Sequence, residues 1–122
     1  MRRLMLPYPI SVNRAYRNFR GITVKSKDAL EYQSTIRACA FSEGYTKPLE
    51  GPIHVEMSYH PKRPKKYVGG PVRSLDLDNI LKVAIDSLNG IAWVDDKQIT
   101  HLSICKGEPV EGGALVVSWR EA

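Results

Sequence analysis

Asp76-Leu77-Asp78-Asn79-Ile80-Leu81-Lys82-Val83-Ala84-Ile85-Asp86-Ser87-Leu88 is the stretch on which the fold turns, and it reads as one amphipathic helix. Leu77, Leu81, Ala84, Ile85 and Leu88 recur at helical spacing, and Asn89-Gly90 supplies the stop. On the other side Asp78, Lys82 and Asp86 stand four residues apart in a polar stripe. Before this helix, Ile53, Val55, Met57 and Tyr59 alternate with His54, Glu56, Ser58 and His60, the period of a half-buried strand. After it, Gln98 to Lys106 reads as a strand containing Ile99, Leu102, Ile104 and Cys105. A last strand carries Leu115, Val117 and Trp119, beyond a turn over Gly107 to Gly113. Towards the N-terminus, Ala29, Tyr32, Ile36, Cys39 and Ala40 share one face of a second helix that Ser26 can cap and Gly44 can stop. Arg2 to Leu6 forms a first strand halted by Pro7 and Pro9, and Ile22-Thr23-Val24 is placed to close a hairpin. The order β-α-β-α-β-β predicts an α/β (α+β two-layer) domain over residues 1–122, two main helices on a small mixed sheet.

With 122 residues, 43% of them hydrophobic, the chain can bury one core and has little room for a second domain. No apolar run approaches a membrane span, so a cytoplasmic protein with no membrane partner is expected. Cys39 and Cys105 have neither the number nor the spacing of a disulfide framework or zinc site, and both read as small buried hydrophobes. His54 and His60 lie too far apart on one strand to share a metal and read as surface residues, and His101 reads as structural.

Charge is distributed unevenly. From Asp76 to Asp96 there are five carboxylates and one base, Lys82, a local net of −4; the whole chain carries +5, so the remainder carries +9. An acidic pocket in a basic shell suits a metal-dependent nuclease, in which carboxylates hold divalent ions and Lys/Arg hold a polyanion. Asp76 in extended chain and Asp78 at the helix N-cap would point to one side, with Lys82 one turn along. Asp95 and Asp96 point opposite ways, so only one of them joins the pair. The bland alternative, a helix cap and a surface turn, accounts for each aspartate singly and leaves the set mutually repelling without a cation. An EF-hand is excluded because Ile80 and Leu81 stand where it needs an oxygen ligand and a glycine.

Two basic segments flank this window. Asn13, Arg14, Arg17 and Arg20 alternate with Tyr16 and Phe19, either as a solvated loop or as a phosphate-contacting arm. Lys62, Arg63, Lys65 and Lys66 sit among prolines and glycines in a loop that leads through Arg73 into the acidic stretch, placed to grip a phosphodiester backbone.

Asp76-Leu77-Asp78-Asn79-x-x-Lys82 followed by Trp93-Val94-Asp95-Asp96, together with the early Leu6-Pro7-Tyr8-Pro9, Asn13-Arg14 and Tyr16, resembles the RusA family of Holliday-junction resolvases over nearly the whole chain. The resemblance implies a homodimeric, Mg²⁺-dependent endonuclease on four-way junction DNA, with Mn²⁺ as a substitute and no organic cofactor. It maps the catalytic set to Asp76, Asp78, Lys82 and Asp96, and the metal ligands to Asp76, Asp78 and Asp96, with Asp95 the competitor for the third place. The rival expectations are a non-catalytic nucleic-acid-binding module and a small metal-dependent phosphohydrolase.

Overall fold

The computed structural model describes all residues, 1–122. In chain order it has β1 (Arg2–Leu6), a one-turn helix α1 (Val12–Ala15), β2 (Tyr16–Phe19), β3 (Ile22–Lys25), α2 (Lys27–Ser42), β4 (Ile53–His60), α3 (Leu77–Leu88), a 3₁₀ turn (Asp96–Gln98), β5 (Ile99–Lys106) and β6 (Ala114–Glu121). The main sheet is four-stranded in the order β1-β6-β4-β5, and β2-β3 is a separate hairpin. Only β4 and β5 run parallel, and α3 makes the crossover between them. The expected mixed sheet with two main helices is the fold observed. The hairpin expected at Ile22-Thr23-Val24 is present, with β2 as its other strand, and the turn α1 was not expected, because a single helical turn has no periodicity to read.

Alternation decides which face of the sheet is covered. Ile53, Val55, Met57 and Tyr59 of β4 and Leu115, Val117 and Trp119 of β6 are all buried, and they meet Tyr32, Ile36 and Ala40 of α2 and Ile80, Ala84 and Leu88 of α3. Each fully buried side chain of this kind contributes roughly 1.5–3 kcal/mol. The opposite face is bare and polar, with the rings of His54 and His101 stacked 5.3 Å apart. At the hairpin tip Arg20 and Gly21 both take positive φ, the two-residue turn whose twist matches the strands it joins.

Three expectations need correction. Cys105 is exposed, because β5 is an edge strand and Cys105 points to the bare face, and Cys39 is half-buried against the core. The N-cap of α3 is Asp76, and Asp78 lies inside the first turn. The buried face of α3 is also rotated from the one read in the sequence. It holds Ile80, Val83, Ala84, Ser87 and Leu88, while Leu77, Leu81 and Ile85 are only half-buried. The apolar arc of this helix is wider than the core it covers, since α2 and α1 flank it on one side only: Val83 packs with Ala15 and Ala29, and Ser87 accepts from Gln33.

Candidate active site

α3 begins at the end of the sheet where β4 and β5 finish. The Leu75 amide donates to the Tyr59 hydroxyl (3.1 Å), which lies 2.7 Å from the Tyr8 hydroxyl. Lys106, the last residue of β5, donates to Ser74 (2.8 Å). The segment entering the helix is thus tied to both central strands. Burial, helped by Tyr59, raises the pKa of Tyr8 well above the ordinary phenol value. Lys62 lies over the Tyr8 ring at 4.5 Å, and Arg63 pairs through its amide with Val110 (2.9 Å), so the start of the basic loop is fixed beside the helix entrance.

At the entrance itself Asp76 is extended and its carbonyl accepts from Ile80 (3.2 Å), yet its carboxylate caps nothing. Asp78 is exposed one step inside. Neither carboxylate has a hydrogen bond or ion pair within the chain, although both sit at the positive end of the helix dipole. Two hard oxygen donors left free at one helix end suit a divalent cation such as Mg²⁺.

Lys82 is one turn further along. Its Nζ lies 3.4 Å from Asp86 and 5.0 Å from the centre of the Tyr16 ring, and the Tyr16 hydroxyl donates a short hydrogen bond to the same Asp86 carboxylate. Burial first, and Asp86 second, push the Tyr16 pKa upward. The hairpin that carries Arg17 and Arg20 is therefore latched to α3 next to Lys82. Arg17, Arg20 (over the Phe19 ring) and Asn13 are exposed, as are Lys62, Arg63, Lys65, Lys66 and Arg73. Arg14 instead pairs with Asp28 at 3.0 Å.

Asp95 and Asp96 have separate duties. Asp95 N-caps the 3₁₀ turn: its carboxylate accepts from Lys97 (2.9 Å) while Gln98 accepts from its amide (2.8 Å). Asp96 has no such engagement. The turn is anchored to the opposite end of the sheet, since Gln98 donates to the carbonyls of Leu49 and Gly51 just before β4, and Ile99 pairs with Ile53. Asp76 and Asp78 thus stand at one end of the sheet and the turn bearing Asp96 at the other, with α3, twelve residues and roughly 18 Å long, running between the two ends. Within one chain no three His, Cys, Asp or Glu side chains are grouped to hold a metal ion. Asp76, Asp78 and Lys82 share a helix end; Asp96 does not join them there.

Tyr8, Tyr59, Tyr16 and Asp86 are supporting groups whose part in the site was not read from the sequence. Asp86 was visible in the stripe with Lys82, Tyr8 and Tyr16 in the early motif and Tyr59 in the alternation of its strand; their pairing was not, because Tyr8 and Tyr59 are 51 residues apart and Tyr16 and Asp86 are 70 apart. None of the main surface clefts is lined by Asp76, Asp78, Lys82 or Asp96, so this is open surface, suited to a long polymer rather than an enclosed small molecule.

Comparison with known proteins gives a consistent answer. The family model described as "Endodeoxyribonuclease RusA" matches residues 7–117. Proteins named crossover junction endodeoxyribonuclease RusA from Escherichia coli (strain K12) and Shigella sonnei are each 30% identical over 97% of this chain and 92% of their own length. The one from Enterobacteria phage 82 is 29% identical over the same shares.

Proposed function

This chain belongs to the endodeoxyribonuclease RusA family, and from that premise we propose that it resolves four-way (Holliday) DNA junctions by Mg²⁺-dependent phosphodiester hydrolysis, as a cytoplasmic homodimer that makes paired nicks in recombination and repair. The observation that carries this reading is the pair of unpartnered carboxylates, Asp76 and Asp78, at a helix end bordered by Lys82 and by the basic loop from Lys62 to Arg73.

Asp76, Asp78 and Asp96 would hold the divalent ion; the capping role of Asp95 supports Asp96 over it as the third ligand. What a bound Mg²⁺ (or Mn²⁺) supplies is polarisation of a phosphodiester and a lowered pKa for the attacking water. The Lys82 ammonium, steered by Asp86 and Tyr16, faces the charge that builds on the phosphate in the transition state. Arg17, Arg20, Lys62, Arg63, Lys65, Lys66 and Arg73 hold backbone phosphates, which makes binding sensitive to junction shape and to salt but not to base identity. The distance between the two ends of α3 favours a dimer, because Asp96 reaches an Asp76–Asp78 pair only if that pair belongs to another copy. Two such sites related by a two-fold axis match the symmetry of a four-way junction.

The test is incubation with labelled four-way junction and with linear duplex, with Mg²⁺ and with EDTA. Paired nicks in the junction that need Mg²⁺ support the reading; an intact junction, or equal cutting of duplex, overturns it.

A further inference from the structure

We propose that Phe19, at the tip of the β2–β3 hairpin, stacks on a base left uncovered where strands exchange in the junction, and that this contact helps the chain tell a junction from a duplex. This rests on the nuclease reading above and adds a base-contacting group to a site so far described through carboxylates and cations alone.

Register separates the two faces of the hairpin. Tyr16 pairs with Lys25 and Asn18 with Thr23, so these four share one face, which the Tyr16 hydroxyl fastens to Asp86 of α3. Arg17 pairs with Val24 and Phe19 with Ile22 on the other face, which is left to solvent. Phe19 is 62% exposed, Ile22 64% and Val24 41%. These apolar side chains make no core, and neither hydrophobic cluster of the fold includes them.

What the face fits is decided by its surroundings. From Tyr16 to Lys25 the hairpin carries Arg17, Arg20 and Lys25 and no carboxylate. An aromatic ring among cations, with no acidic neighbour, matches a nucleic acid strand, whose bases are flat and whose phosphates are negative, better than it matches an apolar protein surface. The Arg20 guanidinium lies over one face of the Phe19 ring, 5.3 Å from its centre, which leaves the opposite face for a base. Arg20 and Gly21, both at positive φ, form the tight turn that presents this pair at the tip.

Position links the ring to the chemistry. Three residues of strand carry Phe19 about 10 Å beyond Tyr16, the length of about three stacked nucleotides. Tyr16 in turn lies under Lys82, so a base on Phe19 belongs to the same short stretch of strand as the phosphate that Lys82 faces. In a closed duplex both faces of every base are covered by neighbours, and a side-chain wedge must first unstack them. At a four-way branch the stacks are interrupted, and the ring meets an uncovered face without that cost. The ring thus adds a preference for the branch to the salt-dependent grip of the cations.

The test is binding by the full chain, in Ca²⁺, to a four-way junction that carries a stacking-quenched fluorescent adenine analogue at the branch point, beside a linear duplex with the same probe. Wild type is expected to brighten the junction probe, as the base leaves its neighbours for the ring, and to leave the duplex probe dark. Phe19→Leu keeps an apolar partner for Ile22, so circular dichroism and thermal unfolding should match wild type. Its junction affinity should nonetheless fall about tenfold or more, with duplex affinity unchanged and the brightening lost. Phe19→Trp should retain both affinity and signal. A Phe19→Leu variant that binds and brightens the junction as wild type does would leave the face to a protein partner and overturn the assignment. Equal losses on junction and duplex, or a wild type that brightens neither probe, overturn it as well. Should wild type fail to cut junctions in Mg²⁺, the nuclease reading falls, while the probe signal and its loss in Phe19→Leu still judge the ring.

Discussion

Asp76-x-Asp78 and Asp95-Asp96 are two acidic pairs of similar composition, and the backbone around them makes different use of each. At the start of α3, Asp76 occupies the capping position without capping, and the residues before it are held from elsewhere, Leu75 by Tyr59 and Ser74 by Lys106. Both carboxylates stay free. At the 3₁₀ turn Asp95 is consumed in a capping box and only Asp96 is spare. A carboxylate is available for chemistry when it has no structural duty of its own. Tyr59 positions the pair by holding Leu75, the residue before Asp76.

The sharpest way to break this comparison is to neutralise one aspartate of each kind. Asp78→Asn should lower junction cleavage by about a thousandfold or more while junction binding in Ca²⁺ is retained, as expected for loss of a metal ligand; gel-shift and cleavage assays on one preparation check both halves. Asp96→Asn should behave the same way without loss of thermal stability. Asp95→Ala should do the reverse, costing about 1 kcal/mol of stability through the lost cap and leaving turnover close to wild type. If Asp95→Ala abolished cleavage while Asp96→Asn cut normally, the division of labour drawn here would be inverted.

Lys82→Ala tests the other member of the helix end, with an expected loss of about a hundredfold in turnover and unchanged folding. Tyr16→Phe is a finer probe. It removes the hydroxyl bound to Asp86 and keeps the ring beneath Lys82, so turnover should fall only several-fold, far less than for Lys82→Ala. The smallest effect is expected in the supporting shell. Tyr59→Phe leaves the Leu75 amide and the Tyr8 hydroxyl without their partner and should cost about 1–3 kcal/mol in thermal unfolding.

Much of this molecule was legible in its sequence, for reasons that differ from element to element. Strict alternation identified β4 and β6 and their inward residues, because a sheet covered on one face imposes period two. The charge anomaly pointed to α3, and the spacing of Asp78 and Lys82 put them on one stripe. The helix face was misread, since Leu77, Leu81 and Ile85 are as apolar as a core ridge, and nothing local reveals that α2 packs on the other flank. Cys105 was misread for a related reason: strand position within a sheet is a long-range property. The gathering of Asp96 with Asp76 and Asp78 looked natural along the sequence, and the crossover geometry of β4-α3-β5 instead sends them to opposite ends.

The most direct test of the central claim is cleavage of a labelled four-way junction by the wild-type chain, beside a linear duplex of the same sequence, with Mg²⁺ or with EDTA. Paired, symmetric nicks are expected in the junction, none in the duplex, and none in EDTA. A junction left whole in Mg²⁺, or a duplex cut just as fast, would contradict it.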